Sequence, residues 1–212
     1  MYEWIAERCA GLDVVDMACG EGYGTDVLAR RATHVTGVDA NPEAHEHARL
    51  KYTRPGVRFV RDLVETYSEP CDAVVFLQTI EHVHDPKAVL DHMRSLLRPG
   101  GTVYVSTPNV LTLAPPGAER SGNPWHVREY RAAEFRDLCE ASFESVELLG
   151  LFHARKLRAH ELAIKAGWDT LHTRLRITKT FYDRFVPAIA ASDFALRPAP
   201  LDKALDFLAI CR

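Results

Sequence analysis

A glycine-rich segment near the amino terminus constrains the fold more than any other part of this sequence. A short apolar run over residues 12–17 is followed by Ala18-Cys19-Gly20-Glu21-Gly22-Tyr23-Gly24, in which three glycines alternate with larger residues. Glycine permits backbone conformations and close approaches that a Cβ atom prevents. Between a strand and a helix, such glycines are typical of turns that hold a nucleotide at the helix amino end. The segment therefore predicts a nucleotide-binding α/β fold.

Further apolar runs alternate with amphipathic stretches along the rest of the chain. The predicted strands cover residues 12–17, 34–38, 57–60, 73–77, 102–106, 145–151 and 206–211. Helices are predicted over residues 25–31 and 42–51 and, between the fourth and fifth strands, from Asp85-Pro86, which is typical of a helix start. This alternation predicts a doubly wound, mostly parallel, seven-stranded Rossmann-like α/β sheet. Ligands of such sheets bind beyond the carboxyl ends of the strands.

The stretch between the sixth and seventh strands differs from the rest. Its apolar residues recur at helical spacing: Leu157, Ile164, Trp168, Leu171 and Leu175. We therefore predict one domain over residues 1–212, with residues 152–200 as a helical insertion.

The insertion also carries more lysine and arginine than aspartate and glutamate. One interpretation is a solvated basic face over an apolar stripe that packs in the core. The other is a lid that favours anionic or polyhydroxylated substrates, with Arg155, Lys156 and Arg158 as its contacts.

Composition excludes several classes of protein. The formal net charge is −3 over 212 residues, so no strong basic excess indicates nucleic acid. The longest apolar run, residues 73–77, is too short to span a membrane, and the first residues do not resemble a signal peptide. The five cysteines are scattered and odd in number, which favours reduced thiols in a cytoplasmic protein over a disulfide framework.

Acidic residues follow the second and third predicted strands. Asp39 stands 19 positions after Gly20, where an acid binds a ribose diol in dinucleotide folds. Thr25 occupies the position at which the dinucleotide pattern G-x-G-x-x-G requires its last glycine. Asp62 follows the third strand and can accept a hydrogen bond from the adenine amino group. These residues indicate an adenosine ligand without a pyrophosphate, and a degenerate dinucleotide fold is the alternative.

In this order the motifs resemble those of class I S-adenosylmethionine-dependent methyltransferases. The resemblance covers the first half of the chain well and the last strand loosely. It implies that Ala18 and Gly20 contact the methionine moiety through their backbone, Asp39 the ribose, and Asp62 with Leu63 the adenine. Ala18 stands where the family more often has glycine. The full set of residues predicted to bind the donor is Asp16, Ala18, Gly20, Gly22, Asp39, Ala40, Asp62, Leu63, Leu77 and Gln78.

The segment after the fourth strand contains the candidate catalytic residues. An alcohol acceptor must lose its proton on methylation, so a base or a Lewis acid is required. Gln78, Glu81 and His82 are spaced so that one helical turn would bring them to the same face. We therefore expect this segment to contact the acceptor.

This segment resembles two groups of metal-assisted O-methyltransferases, the ubiquinone-pathway enzymes and the plant-type small-RNA 2′-O-methyltransferases. Both carry E-x-x-E-H here, and the RNA enzymes add a histidine after a Thr-Pro-Asn segment, which His126 matches. The resemblance implies that Glu81, His82 and His126 bind Mg²⁺, Mn²⁺ or a similar ion. Gln78 replaces the first glutamate, which removes one ligand charge. Without a metal, His82 could still act as a general base.

The sequence leads to the hypothesis of an O-methyltransferase that acts on a hydroxyl of a sugar, oligosaccharide or glycosylated metabolite. Residues from His126 to Ala154 loosely resemble bacterial sugar O-methyltransferases. The alternatives are a small-molecule N-, C- or catechol-type methyltransferase and a non-catalytic module that binds the donor. An RNA acceptor is disfavoured because no RNA-binding module is recognisable and the net charge is negative. Either the insertion or a second subunit of a homodimer could close the acceptor pocket.

Overall fold

The computed structural model describes residues 1–115, 117–175 and 178–212. Its centre is one sheet with the strand order β3-β2-β1-β4-β5-β8-β6-β7. The strands are β1 (Asp13–Met17), β2 (His34–Val38), β3 (Val57–Val60), β4 (Cys71–Leu77), β5 (Leu97–Pro108), β6 (Val146–His153), β7 (Phe194–Arg197) and β8 (Asp206–Cys211). Strands β1 to β5 are parallel, β8 runs antiparallel to β5 and β6, and β7 runs antiparallel to β6. The doubly wound α/β fold predicted from the sequence is confirmed.

Helices pack on both faces of the sheet. They are α1 (Tyr2–Arg8), α2 (Tyr23–Leu28), α3 (Pro42–Lys51), α4 (Pro86–Leu96), α5 (Val110–Leu113), α6 (Ala132–Glu140), α7 (Arg155–Lys165), α8 (Trp168–Leu175) and α9 (Thr178–Phe185). Two of them begin as the sequence predicts, because the side chains of Asn41 and Asp85 accept backbone hydrogen bonds ahead of a proline at the first helical position.

The sheet has one strand more than predicted. Strand β7 lies within residues 152–200, which we predicted to be a helical insertion, and it forms the outer edge beside β6. It covers only four residues and is followed closely by Pro198 and Pro200, so periodicity gives too few positions to detect it. The predicted seventh strand is β8, with the expected bounds.

Two apolar clusters fill the space between the sheet and its helices. Val15 and Met17 face one cluster, with Phe76, Phe135 and Phe207, whereas Val14 and Leu208 face the other, which α1 covers. Strands buried on both faces explain the continuous apolar runs of the sequence. Because β1, β4 and β5 are parallel, their carboxyl ends meet at one edge of the sheet.

The predicted helical insertion contains α7, α8 and α9 as well as β7. Leu157 is buried, but Ile164, Leu171 and Leu175 are exposed, so most of the predicted apolar stripe does not pack in the core. Arg176 and Ile177 lie outside the described residues. Within the described ranges, no helix has both the length and the apolar character needed to cross a membrane. All five cysteines are buried as free thiols.

Candidate active site

The glycine-rich turn after β1 requires unusual backbone conformations. Ala18, Gly20 and Gly22 all have positive φ, at 53°, 53° and 83°. A Cβ on Gly20 would meet no atom within 4 Å, whereas one on Gly22 would lie 2.8 Å from the ring of Phe59. The backbone at Gly20 therefore borders open space that a ligand can enter, and Gly22 is required by packing. Ala18 takes a conformation that costs an L-residue about 1–2 kcal/mol.

Asp16 lies beneath this turn and is fully buried, with 0% of its surface exposed. Its carboxylate accepts hydrogen bonds from the hydroxyls of Thr25 at 2.7 Å and Tyr2 at 3.1 Å. Burial raises the pKa of Asp16 to about 7 although both hydroxyls oppose the shift. In this arrangement Asp16 positions the turn, and a direct contact with the methyl donor stays a prediction.

Asp39 follows β2 and contacts the glycine-rich turn directly. Its Oδ2 accepts the backbone N–H of Gly20 at 2.8 Å, and its Oδ1 accepts that of Asn41 at 2.8 Å. Asp39 is half-buried, and the next residue, Ala40, is exposed. The two features that the sequence separates by 19 positions are therefore in contact at the predicted edge of the sheet.

Asp62 and Leu63 follow β3 at the same edge, since the N–H of Asp39 donates to the carbonyl of Val60, the last residue of β3, at 3.2 Å. The Asp62 carboxylate accepts the N–H of Leu63 at 2.8 Å and the hydroxyl of Thr66. The side chain of Leu63 is 54% exposed and offers an apolar surface for a flat ring. The structure thus brings the predicted ribose and adenine contacts to neighbouring strand ends.

The predicted helical turn that joins Gln78 to Glu81 and His82 is wrong. Leu77 ends β4, and Gln78 has a φ of 54°, outside any right-handed helix. The Gln78 side-chain amide donates to the hydroxyl of Ser106 at 3.1 Å. A 3₁₀ turn begins only at Ile80 and covers Ile80–His82. Gln78 therefore directly follows β4, and its amide group is turned towards β5.

Glu81, His82 and His126 nevertheless come together, although 44 positions separate the two histidines. One ligand atom from each of the three side chains lies within 4.8 Å of the others. Glu81 is 2% exposed, whereas His82 is exposed to solvent. The carbonyl of Glu81 accepts the N–H groups of Val127 at 2.9 Å and Arg128 at 3.1 Å, which fixes the distant segment beside the 3₁₀ turn.

The hydrogen bonds of both imidazoles leave the same ring nitrogen available. His82 donates from Nδ1 to the carbonyl of Trp125 at 2.8 Å, because a carbonyl can only accept. His126 is bonded through Nδ1 to Oε1 of Glu129 at 2.8 Å. With Nδ1 as the donor in each ring, Nε2 carries the lone pair and can bind a cation.

Glu129 is a functional candidate that our sequence reasoning missed. Its side chain is 3% exposed, and besides His126 it accepts the N–H of Ser121 at 2.8 Å and the Ser121 hydroxyl. Burial favours the neutral form, but the hydrogen bonds from Ser121 and His126 outweigh it and lower the pKa of Glu129. The spacing His126-x-x-Glu129 is the one sequence signal that could have indicated it.

Two further carboxyl groups have raised pKa values at this edge. Burial raises the pKa of Glu81, although its hydrogen bond from the Thr107 hydroxyl at 3.2 Å and the nearby His82 and His126 act in the other direction. Burial, and secondly the charge of Glu81, raises the pKa of Asp206 to about 6. Asp206 begins β8 opposite Pro108, and our sequence reasoning missed it because acids often precede strands. A cation bound beside them would favour the ionised form of both carboxyls.

The side chains of Glu81, His82 and His126 are suitable ligands for a divalent metal ion. One carboxylate oxygen and two imidazole nitrogens are available, and the exposed side of His82 leaves room for further oxygen ligands. Two imidazoles with one carboxylate are typical of transition-series ions with open coordination positions. Mg²⁺ prefers oxygen ligands and retains water, so this set suits Mn²⁺ or a similar ion better than Mg²⁺.

Comparison with known proteins identifies the family of this chain. A family model described as a methyltransferase domain matches residues 5–162. A protein of Mycolicibacterium smegmatis, described as a probable S-adenosylmethionine-dependent methyltransferase, is 37% identical over 222 residues, which cover 99% of this chain and 85% of that protein. A ubiquinone biosynthesis O-methyltransferase of Xylella fastidiosa is 36% identical over 129 residues, which cover 55% of this chain and 52% of that protein.

A solved structure shares the fold along the whole chain. The crystal structure of an S-adenosylmethionine-dependent methyltransferase from Mesorhizobium loti superposes with a TM-score of 0.65 at 18% identity, and the match covers 100% of this chain and 98% of that one. The glycine-rich turn, the acids at the strand ends, the family model and the relatives lead to one conclusion. This chain belongs to the class I S-adenosylmethionine-dependent methyltransferases and is an enzyme whose methyl donor is S-adenosylmethionine.

Proposed function

We propose that this enzyme is a metal-assisted O-methyltransferase that acts on a hydroxyl of a polyhydroxylated acceptor. The observation that carries the proposal is the convergence of Glu81, His82 and His126, with Nε2 of both histidines left available. An N-methyltransferase acting on an amine with a lone pair needs no such group. The relative named as a ubiquinone biosynthesis O-methyltransferase supports transfer to oxygen.

The donor site uses backbone and carboxylate groups at the ends of β1, β2 and β3. Ala18 and Gly20 present backbone to the methionine moiety, and Asp39 accepts from the ribose hydroxyls. Asp62 accepts from the adenine amino group, and the exposed side chain of Leu63 packs on the ring. Leu77 and Gln78, at the end of β4, would border the methyl group of the bound donor.

The acceptor site lies next to it, over the ends of β4 and β5. Glu81, His82 and His126 would hold a divalent ion, which supplies Lewis acidity that lowers the pKa of an alcohol hydroxyl. Glu129 keeps the His126 ring in the tautomer that leaves Nε2 available. Glu81 is held by Thr107, so its carboxylate does not depend on solvent for orientation. In-line transfer then depends on how precisely these groups align the acceptor oxygen.

Glu81, His82 and His126 would leave some coordination positions of a bound ion open. A vicinal diol can occupy two of these positions, so the metal site favours an acceptor with two neighbouring oxygens. We propose a hydroxyl of a sugar, oligosaccharide or glycosylated metabolite. A catechol has the same pair of oxygens, and the ubiquinone-pathway relative favours it as the second candidate. The two acceptors differ in acidity and shape, but each would bind through two oxygens to the ion held by Glu81, His82 and His126.

Metal dependence tests the proposal directly. In the presence of its acceptor, protein stripped with EDTA should form S-adenosylhomocysteine ~100-fold more slowly than the metal-loaded protein. Added Mn²⁺ should restore the rate of methyl transfer better than Mg²⁺. The assay follows S-adenosylhomocysteine formation with methyl α-glucoside, maltotriose, 3,4-dihydroxybenzoate and the amine benzylamine. An acceptor that is turned over at the same rate with and without EDTA would contradict metal assistance. Turnover of amines alone would contradict O-methylation.

The donor site has its own prediction. Asp39→Ala should weaken S-adenosylhomocysteine binding about 10–100-fold, because it removes a charged acceptor of the ribose hydroxyls and the support of the Gly20 N–H. Isothermal titration calorimetry measures the change. Asp91→Ala, which removes an exposed acid on α4 that pairs with Lys87, is the matched control and should bind within twofold of wild type. Equal affinity for all three proteins would exclude Asp39 from the donor site.

A further inference from the structure

A basic region lies beyond β6, at some distance from Glu81, His82 and His126. Two cavities of about 600 and 510 Å³ adjoin there, and Arg158 and Arg197 line both of them. Lys203 lines the larger cavity and Arg155 the smaller one. Together with Lys156, which also lines the smaller cavity, five lysine and arginine side chains surround this depression formed by two neighbouring cavities.

The anionic side chains of this region are already paired. Asp193 binds Lys156 at 3.1 Å, and Glu161 binds Lys165 at 2.8 Å and His153 at 3.5 Å. In the parts of the chain that the structure describes, no ion pair involves Arg158, Arg197 or Lys203. Unlike a typical surface with interspersed charges, the depression keeps an excess of positive charge that attracts anions.

The register of the sheet relates this depression to the acceptor site. Thr107 on β5 pairs with Phe207 on β8, Phe207 with Gly150 on β6, and Gly150 with Arg197 on β7. Residues paired directly across strands point to the same face of a sheet. Arg197 therefore lies on the face of Thr107, whose hydroxyl binds Glu81.

The strand spacing gives the distance between the two places. Three steps of about 4.8 Å separate β5 from β7, so Arg197 lies roughly 14 Å across the sheet from Thr107. Thr112 and Leu205 line the larger cavity on the side near β5. An extended acceptor can thus reach both places at once.

We propose that Arg158, Arg197 and Lys203 bind a phosphate or diphosphate group carried by the methyl acceptor. Two arginines and a lysine suit a multiply charged anion better than a single carboxylate, because arginine forks bind phosphate oxygens in pairs. Phe152 lies beneath the guanidinium of Arg197, with its ring centroid 5.8 Å away, and limits the movement of that side chain. The inference rests on the proposed function only in placing the reacting hydroxyl at Glu81, His82 and His126.

Calorimetric titration with inorganic pyrophosphate tests the site. The protein is stripped of metal first, so that pyrophosphate cannot bind through an ion at the catalytic cluster. Arg158→Ala/Arg197→Ala should weaken pyrophosphate binding about 10–100-fold. Arg158→Lys/Arg197→Lys should recover part of the affinity because the charge is kept. Thermal unfolding and S-adenosylhomocysteine binding check that each variant is folded.

The control variant removes the same charge elsewhere. Arg30→Ala/Arg49→Ala changes two surface arginines beside α2 and α3, near the opposite edge of the sheet, and should bind pyrophosphate as wild type does. No measurable binding to wild-type protein, or an equal loss in both double variants, would overturn the proposal. His82→Ala should keep pyrophosphate affinity whether or not the metal proposal holds, so the two proposals fail separately.

Comparison of two smaller probes shows whether the site takes a group on an acceptor or a free ion. Glucose 1-phosphate should bind at least as tightly as inorganic phosphate, and glucose should not compete with pyrophosphate. Inorganic phosphate that binds tenfold or more tightly than the ester would overturn the assignment to the acceptor. Binding of glucose 1-phosphate that survives in Arg158→Ala/Arg197→Ala would do the same.

Discussion

His126→Ala should weaken Mn²⁺ binding more than ~100-fold and lower kcat/KM for methyl transfer ~1000-fold, because it removes one of three metal ligands and misplaces the acceptor. The affinity for S-adenosylhomocysteine should stay within twofold of wild type, since the donor site lies at the ends of other strands. Titration calorimetry measures the binding of Mn²⁺ and of S-adenosylhomocysteine to the same protein. A variant that binds S-adenosylhomocysteine normally but binds Mn²⁺ weakly is folded and has lost only the metal site.

The neighbouring positions provide a graded series for this experiment. Glu129→Gln should weaken Mn²⁺ binding about 10–100-fold, because it removes the charge that holds the His126 ring but leaves every ligand in place. His84→Ala is the matched control, because His84 is exposed and lies two residues from His82 without belonging to the cluster. A His84→Ala protein that loses as much Mn²⁺ affinity as His126→Ala would contradict the assigned site.

The features predicted from sequence are those with a local chemical cause. The glycines after β1, Asp39 after β2 and Asp62 after β3 stand beside apolar runs, and parallel strands bring their carboxyl ends together. Asp85-Pro86 defines a helix start because it supplies both a side-chain acceptor and a fixed φ. The grouping of Glu81 and His82 with His126 was predicted only from resemblance to known enzymes. No pattern in residues 83–125 indicates that the chain brings His126 back beside the other two residues.

The features that the sequence did not predict depend on tertiary contacts. Gln78 leaves the right-handed helical region because its N–H and its side-chain amide both bind Ser106 on the neighbouring strand. Glu129 and Asp206 are candidates because their carboxyl groups are buried near the site, and burial cannot be predicted from the spacing of residues in the sequence. Strand β7 exists because β6 extends to His153 and offers it a free edge.

The stability of the protein should fall between about pH 4 and pH 7 through the ionisation of Asp16. Burial raises the pKa of this carboxyl to about 7 in the folded protein, whereas in the unfolded chain the pKa has its ordinary value of ~3.9. Below pH ~4 both states bind the proton, so Asp16 carries no penalty there. As the pH rises, the unfolded chain releases the proton first, which lowers the free energy of unfolding by ~1.4 kcal/mol per pH unit. Above about pH 7 both states are ionised and the dependence ends.

Asp16→Asn isolates this contribution because asparagine keeps the shape and can still accept from Thr25 or Tyr2. Relative to wild type, the variant should gain ~4 kcal/mol in free energy of unfolding between pH 4 and pH 7.5, as three pKa units require. Urea unfolding at several pH values measures the difference, in which the other titrating groups cancel. Asp137→Asn, an exposed acid on α6, should run parallel to wild type. If the difference in free energy of unfolding between Asp16→Asn and wild type did not change with pH, Asp16 would ionise with an ordinary pKa. Water would then reach its carboxylate beneath the donor-binding turn.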